Sequence, residues 1–138
     1  MLYCTRKDVH VDRCASAWLI KRFVDPMAEF IFVEGHTPPP GAIAFDMHGA
    51  EWGHCVGKCS FETIASIHGI TEPALVQIGH IIHGADIAPD VDETLESAGI
   101  DLLFRGLRLV SDSDAETIDR GYLIMDALYA VLTQQDEK

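Results

Sequence analysis

Cations are scarce in this chain: 10 lysines and arginines stand against 22 aspartates and glutamates, a formal net charge of −12. Sequence-independent binding to a phosphate backbone needs clustered lysines and arginines that displace counterions, so direct nucleic-acid binding by this chain is not expected. Apart from Arg6-Lys7 and Lys21-Arg22 the cations are scattered, and an oxyanion would have to be held by specific local groups. Cysteine is limited to Cys4, Cys14, Cys55 and Cys59, a spacing that makes no disulfide framework and fits reduced thiols in a cytoplasm. Long apolar runs are missing too. Even the Ile78–Ile82 region is broken by Gly79 and His80, well short of the roughly 18 residues of a membrane span. The start, Met1 to Lys7, has no secretory signature, so a soluble, cytoplasmic protein without a membrane partner is expected. There is no internal repeat, low-complexity tract or interdomain linker. With 138 residues and 48% hydrophobic content, a single domain over 1–138 is the expectation.

What is present reads as a strand-and-helix half followed by a run of helices. Leu2 to Thr5 reads as a strand, and Asp12 as the cap of a helix from about Cys14 to Phe23, ended by Asp25-Pro26. Ala15, Trp18, Leu19 and Phe23 recur at helical spacing, which predicts an amphipathic helix packed on a sheet. Glu29 to Glu34 is apolar on both faces, as a central buried strand would be. Gly35 to Gly41, with its three prolines, is a loop, and Ala42 to Phe45 a short strand. Met47 to Lys58 is glycine-rich and aperiodic, the kind of loop that carries function. Helices follow at Phe61–His68, from Pro73 to about Gly84 with a stop before Pro89, and more loosely over Asp92–Leu109 with Gly99 and Gly106 as interruptions. Ser113 to Glu116 is a capping box for a last helix with the stripe Ile118, Tyr122, Met125, Leu128, Tyr129 and Leu132. The fold class is α+β: a small N-terminal sheet with one packed helix, then a mainly helical C-terminal half.

Chemistry-bearing side chains gather in three stretches: His10, Asp12 and Arg13; Asp46, His48, Glu51 and His54; His80, His83 and Asp86. His83 and Asp86 lie three apart on a helix and read equally as a ligand pair or as a histidine with its orienting carboxylate. Glu51 and His54 form a Glu-x-x-His pair, a spacing that ligates iron and manganese in carboxylate proteins and also occurs in solvated loops. His54-Cys55 and Cys59 offer nitrogen and sulfur to zinc, or are a loop histidine and buried thiols. Glu62 sits in a helix first turn, where the dipole favours it with or without a ligand, and Asp12 shares that ambiguity. Arg13 is misplaced for the dipole of its helix and needs a buried carboxylate or a bound oxyanion. His36, His48 and His68 read as structural or solvated, and Cys14 as core.

Val9-His10-Val11-Asp12-Arg13-Cys14-Ala15-Ser16-Ala17-Trp18-Leu19-Ile20 resembles the signature of the ChrB-type chromate-resistance domain, and the likeness continues through nearly the whole chain. It runs through Phe45-Asp46-Met47, Gly49 to His54, Cys59-Ser60-Phe61-Glu62, His83-Gly84-Ala85-Asp86, Arg105-Gly106-Leu107 and Asp126 to Tyr129. Ser60 stands where the family has threonine, and Cys14 where it has isoleucine. In two-part members this domain follows an N-terminal region and is associated with chromate-responsive regulation of an efflux transporter; here the chain begins essentially at the domain. Added to the residue reading, the resemblance implies a metal centre with His10, His54 and His83 as ligands and Asp86 or Glu62 as carboxylate. Imidazole plus carboxylate suits a divalent or trivalent ion, Fe, Mn or Zn. Asp12 and Asp46 would orient imidazoles from behind, with Glu51 and Cys59 as alternative ligands and Arg13 as an oxyanion contact. The expected function is a metal-binding chromate-response protein whose partner is a metal ion or small oxyanion. The alternatives are a mononuclear metalloenzyme, redox or hydrolytic, and a metal-free interaction module in which Trp18 and Trp52 serve packing or assembly. A homo-oligomer is compatible with the sequence, which does not set the assembly state.

Overall fold

The computed structural model describes residues 1–86 and 94–136. Three strands form one parallel sheet of order β2-β1-β3: β1 (Leu2–Arg6), β2 (Glu29–Val33) and β3 (Ile43–Ala44). Among the described residues, five α-helices accompany them: α1 (Val11–Leu19), α2 (Ser60–Ile67), α3 (Pro73–Asp86), α4 (Ser97–Val110) and α5 (Asp114–Asp136). The class is α+β, as expected. No helix among the described residues is long and apolar enough to cross a membrane.

The central strand is β1, not Glu29–Val33, which lies at the sheet edge. Apolar residues on both faces of β2 reflect parallel pairing. Which strand takes the middle depends on β3 adding to the far side of β1, a pairing no local pattern encodes. Phe30 and Phe32 of β2 face Ala115, Ile118 and Tyr122 of α5.

α1 lies in the middle of the helices, in contact with α2, α3, α4 and α5. Its residues Cys14 to Leu19 are all buried, so the helix is enclosed on every side, its polar Asp12 and Ser16 included. A π-helical turn, Ile20–Val24, continues it. The extra residue in that turn rotates Phe23 off the expected stripe, leaving it 37% exposed while its ring meets Trp18 and Tyr129 at 5.4 and 5.3 Å. Trp18 is buried and donates its indole N–H to Asp126 of α5 at 2.7 Å. Gly69, at φ +64, takes the left-handed position that ends α2.

Gly99 and Gly106 do not interrupt α4, which is continuous over Ser97–Val110. The helix instead leaves Leu102, Leu103, Leu109 and Val110 exposed. Asp92, the expected start of that helix, and Pro89, expected beyond the stop of α3, lie outside the described residues.

Candidate metal centre

Asp12 was expected to cap its own helix, but it lies inside the first turn of α1, with His10 at the N-cap. Its carboxylate caps a different helix. Asp12 Oδ2 accepts the backbone N–H of Ser60 at 2.8 Å and Oδ1 that of Phe61 at 3.0 Å, two of the open donors at the start of α2. This is why a carboxylate can be buried at 1% exposure in α1: the amide dipoles of α2 and the hydroxyl of Ser16, at 3.4 Å, replace water.

Asp46 follows β3 in the left-handed region, at φ +48. Aspartate tolerates this conformation better than bulkier residues do, and the neighbours hold it from every side. Its N–H donates to the Trp52 carbonyl, its Oδ1 accepts Ser60 Oγ at 2.5 Å, and its Oδ2 accepts Arg13 Nε at 2.9 Å. Arg13 also donates to the Asp46 carbonyl and to the carbonyls of Arg6 and Lys7. The unfavourable arginine in the first turn of α1 is thus explained by a buried carboxylate, the first of the two reasons open from the sequence.

His54 arrives on the loop after β3. That loop turns tightly: a Cβ at Gly53 would lie 3.0 Å from the Met47 carbonyl and 3.2 Å from that of Ala50. His54 Nε2 stands 3.1 Å from Asp12 Oδ2, 2.9 Å from Asp86 Oδ2 and 3.7 Å from Asp46 Oδ1. One imidazole nitrogen therefore faces carboxylates from α1, from the end of β3 and from α3. Beside it opens a recess of about 260 Å³ lined by Asp46, Met47, His48, Gly49 and His54.

The electrostatics follow from crowding like charges in a poorly solvated place. Burial and then the charge of Asp12 push Asp46 up to about 7, against the pull of Arg13. The same two causes push Asp86 up to about 6, while His54 opposes them. The hydrogen bond to Asp12, more than offsetting desolvation, pushes His54 up to about 9.

A second group lies at the same end of α2. Glu62 Oε1 accepts the backbone N–H of Cys59 at 3.1 Å and stands 2.7 Å from His83 Nδ1. Burial, then the charge of Asp12, pushes the Cys59 thiol far above its ordinary range.

The five expected ligands are distributed over three places. His54 and Asp86 meet directly, and Asp12 and Asp46 face the same nitrogen. His83 and Glu62 meet each other beside Cys59. His10 is elsewhere, with its Nε2 2.8 Å from Arg108 Nη1, in a setting where burial and then the Arg108 charge lower its pKa. Glu51 is exposed and belongs to neither group of ligand-type side chains found among the described residues. Sequence reasoning missed the role of Ser60, whose amide and hydroxyl tie Asp12 to Asp46. The only signal was its place between the cap residue and the first apolar residue of a helix.

No solved structure matches this chain. Among curated proteins, Protein ChrB of Cupriavidus metallidurans is 33% identical over 129 residues, 92% of this chain. The chain spans 39% of the length of that relative. The model of the ChrB C-terminal domain matches residues 3–132. With that match over nearly its whole length, and with the matched stretch containing both clusters, the chain belongs to the ChrB C-terminal domain family.

Proposed function

We propose that this chain binds a metal cation through Asp12, Asp46 and His54, with Asp86 joining them from beside His54, and takes part in the response to chromate. The observation that carries the reading is the convergence of one imidazole nitrogen with three carboxylates, from three separate segments, at 2.9 to 3.7 Å. Carboxylates so placed repel one another, and a bound cation relieves that repulsion while replacing the protons that otherwise do so. The donor set, one nitrogen with several oxygens, suits manganese or iron and admits zinc. A cation is favoured over direct oxyanion capture, because Arg13 already donates to Asp46 and to backbone carbonyls and the remaining charge of the cluster is negative. Chromate would be sensed through the cation or through its redox state, and the link to chromate rests on the family resemblance.

A catalytic reading gains support from the recess beside His54, since a catalytic metal keeps one position open for water or substrate. Elemental analysis of protein purified from cells grown with supplemented manganese, iron and zinc tests the proposal. About one equivalent of metal should accompany the wild type at this cluster and should fall at least tenfold in affinity in Asp86→Asn and in His54→Ala. Metal-free wild-type protein that takes up none of the three ions in calorimetry would leave the metal-free interaction module standing.

A further inference from the structure

Cys59, Glu62 and His83 each offer a ligand atom, and these atoms lie within 4.8 Å of one another. Hydrogen bonding alone accounts poorly for the choice of residues. Cys59 is the N-cap of α2 and shares a capping box with Glu62, yet oxygen side chains cap helices best and a thiol sulfur is a weak acceptor. Serine, of similar size, would serve that structural purpose better.

Gly79 adds a second, independent observation. A Cβ there would lie 3.2 Å from Glu62 Cγ and 3.6 Å from the Phe61 ring. The missing side chain lets α2 lie close enough for Glu62 to cross toward His83, one turn further along α3. A helix-interior glycine is disfavoured relative to alanine, and here its bare Cα leaves the room that this approach uses. The group is also reachable: a cavity of about 300 Å³ lined by Gly57, Glu62, His80, His83 and Thr94 opens beside it.

We propose that Cys59, Glu62 and His83 form a second cation site, chemically softer than the carboxylate cluster, that takes a zinc-like divalent ion. Sulfur, nitrogen and oxygen from three protein ligands make a tetrahedral set with a fourth position toward the cavity, available to water or a small anion. Binding replaces the thiol proton, which is released to solvent, and places a thiolate, an imidazole and a carboxylate on the ion. The two sites stand on either side of one helix start: Asp12 holds the Ser60 and Phe61 amides, and Glu62 holds that of Cys59. A thiolate-bound ion there gives the protein an oxidation-sensitive ligand next to the harder site.

Titration of the reduced full chain with cobalt(II), followed by the near-ultraviolet thiolate-to-cobalt charge-transfer band, tests this. The wild type should develop the band. Cys59→Ser, which keeps a competent cap, should lose it and lose one equivalent of cobalt, with circular dichroism unchanged. Glu62→Gln should weaken cobalt binding at this site at least tenfold without loss of helix. The double variant His54→Ala, Asp86→Asn should keep the band, so failure of the carboxylate site reads differently from failure of this one. Absence of the band in the wild type overturns the proposal, as does a band that survives Cys59→Ser, for which exposed Cys55 would then be the source.

Discussion

Asp12 shows how one residue can serve fold and site together. It occupies two amides of α2 and stands 3.1 Å from His54, so its removal leaves buried donors without partners. Asp12→Ala should lower unfolding free energy by about 3 kcal/mol, measured by urea denaturation. Asp12→Asn keeps one acceptor oxygen but turns its NH2 donor toward the other α2 amide, and should lose about 2 kcal/mol. Because Asp12's charge is a cause of the raised values of both Asp46 and Asp86, carbon-detected NMR titration of Asp12→Asn should show both carboxyls titrating at lower pH than in the wild type. Arg13 teaches a related lesson. Its awkward place in the α1 first turn was readable from the sequence as needing an anionic partner, but the identity of that partner, Asp46, required β3 to end beside α1.

At the scale of elements, the helices are set by close approaches at glycine. A Cβ at Gly121 of α5 would stand 2.9 Å from Phe104 Cε1, and Phe104 is buried at 1% exposure. Gly121→Ala should therefore destabilise by about 1–3 kcal/mol, outweighing the gain of about 1 kcal/mol in helix propensity. Gly99 and Gly106 of α4 are the contrast: a Cβ at either meets nothing within 4 Å, so Gly99→Ala and Gly106→Ala should each raise the unfolding free energy by up to about 1 kcal/mol, measured by urea denaturation. From the sequence alone these glycines look like helix interruptions, because propensity speaks against them. The helices α2, α3 and α5 were legible because their caps and apolar repeats are local. Gly69 ends α2 in the left-handed conformation, and Ser113 Oγ caps the start of α5 by accepting the Glu116 amide. The central position of β1 and the π-helical turn after α1 were not legible, since the first depends on pairing between distant strands and the second falls where the apolar spacing through Phe23 reads as ordinary helix.

For the whole molecule, the crowded cluster makes stability depend on pH with an unusual sign. Asp46 and Asp86 have folded values raised above the ordinary carboxylate value, and His54 is raised above the ordinary imidazole value. Between the unfolded and folded values of each group the native state holds more protons, so stability falls as pH rises. The carboxyls act from about pH 4 to about 7, and His54 from about 6.5 to about 9. Asp25 and Asp126, lowered in the fold, act the other way only in acid. The melting temperature of the metal-stripped protein should therefore drop between pH 6 and 9, whereas loading with manganese should raise it most at the alkaline end, where no protons compete for the ligands. A melting temperature that rises from pH 6 to 9 in the metal-stripped protein would contradict the cluster's electrostatics. The sequence by itself determined the α+β class, most helix boundaries, the family and the types of side chain available for chemistry, because apolar period, capping and motif are written in neighbouring residues. Only the tertiary structure decided that His54 meets Asp12, Asp46 and Asp86 while His83 meets Glu62 and His10 meets Arg108. Those pairings join residues up to 98 positions apart: the two clusters form where the start of α2 comes to rest against α1 and α3, and the His10–Arg108 pair where α4 meets α1.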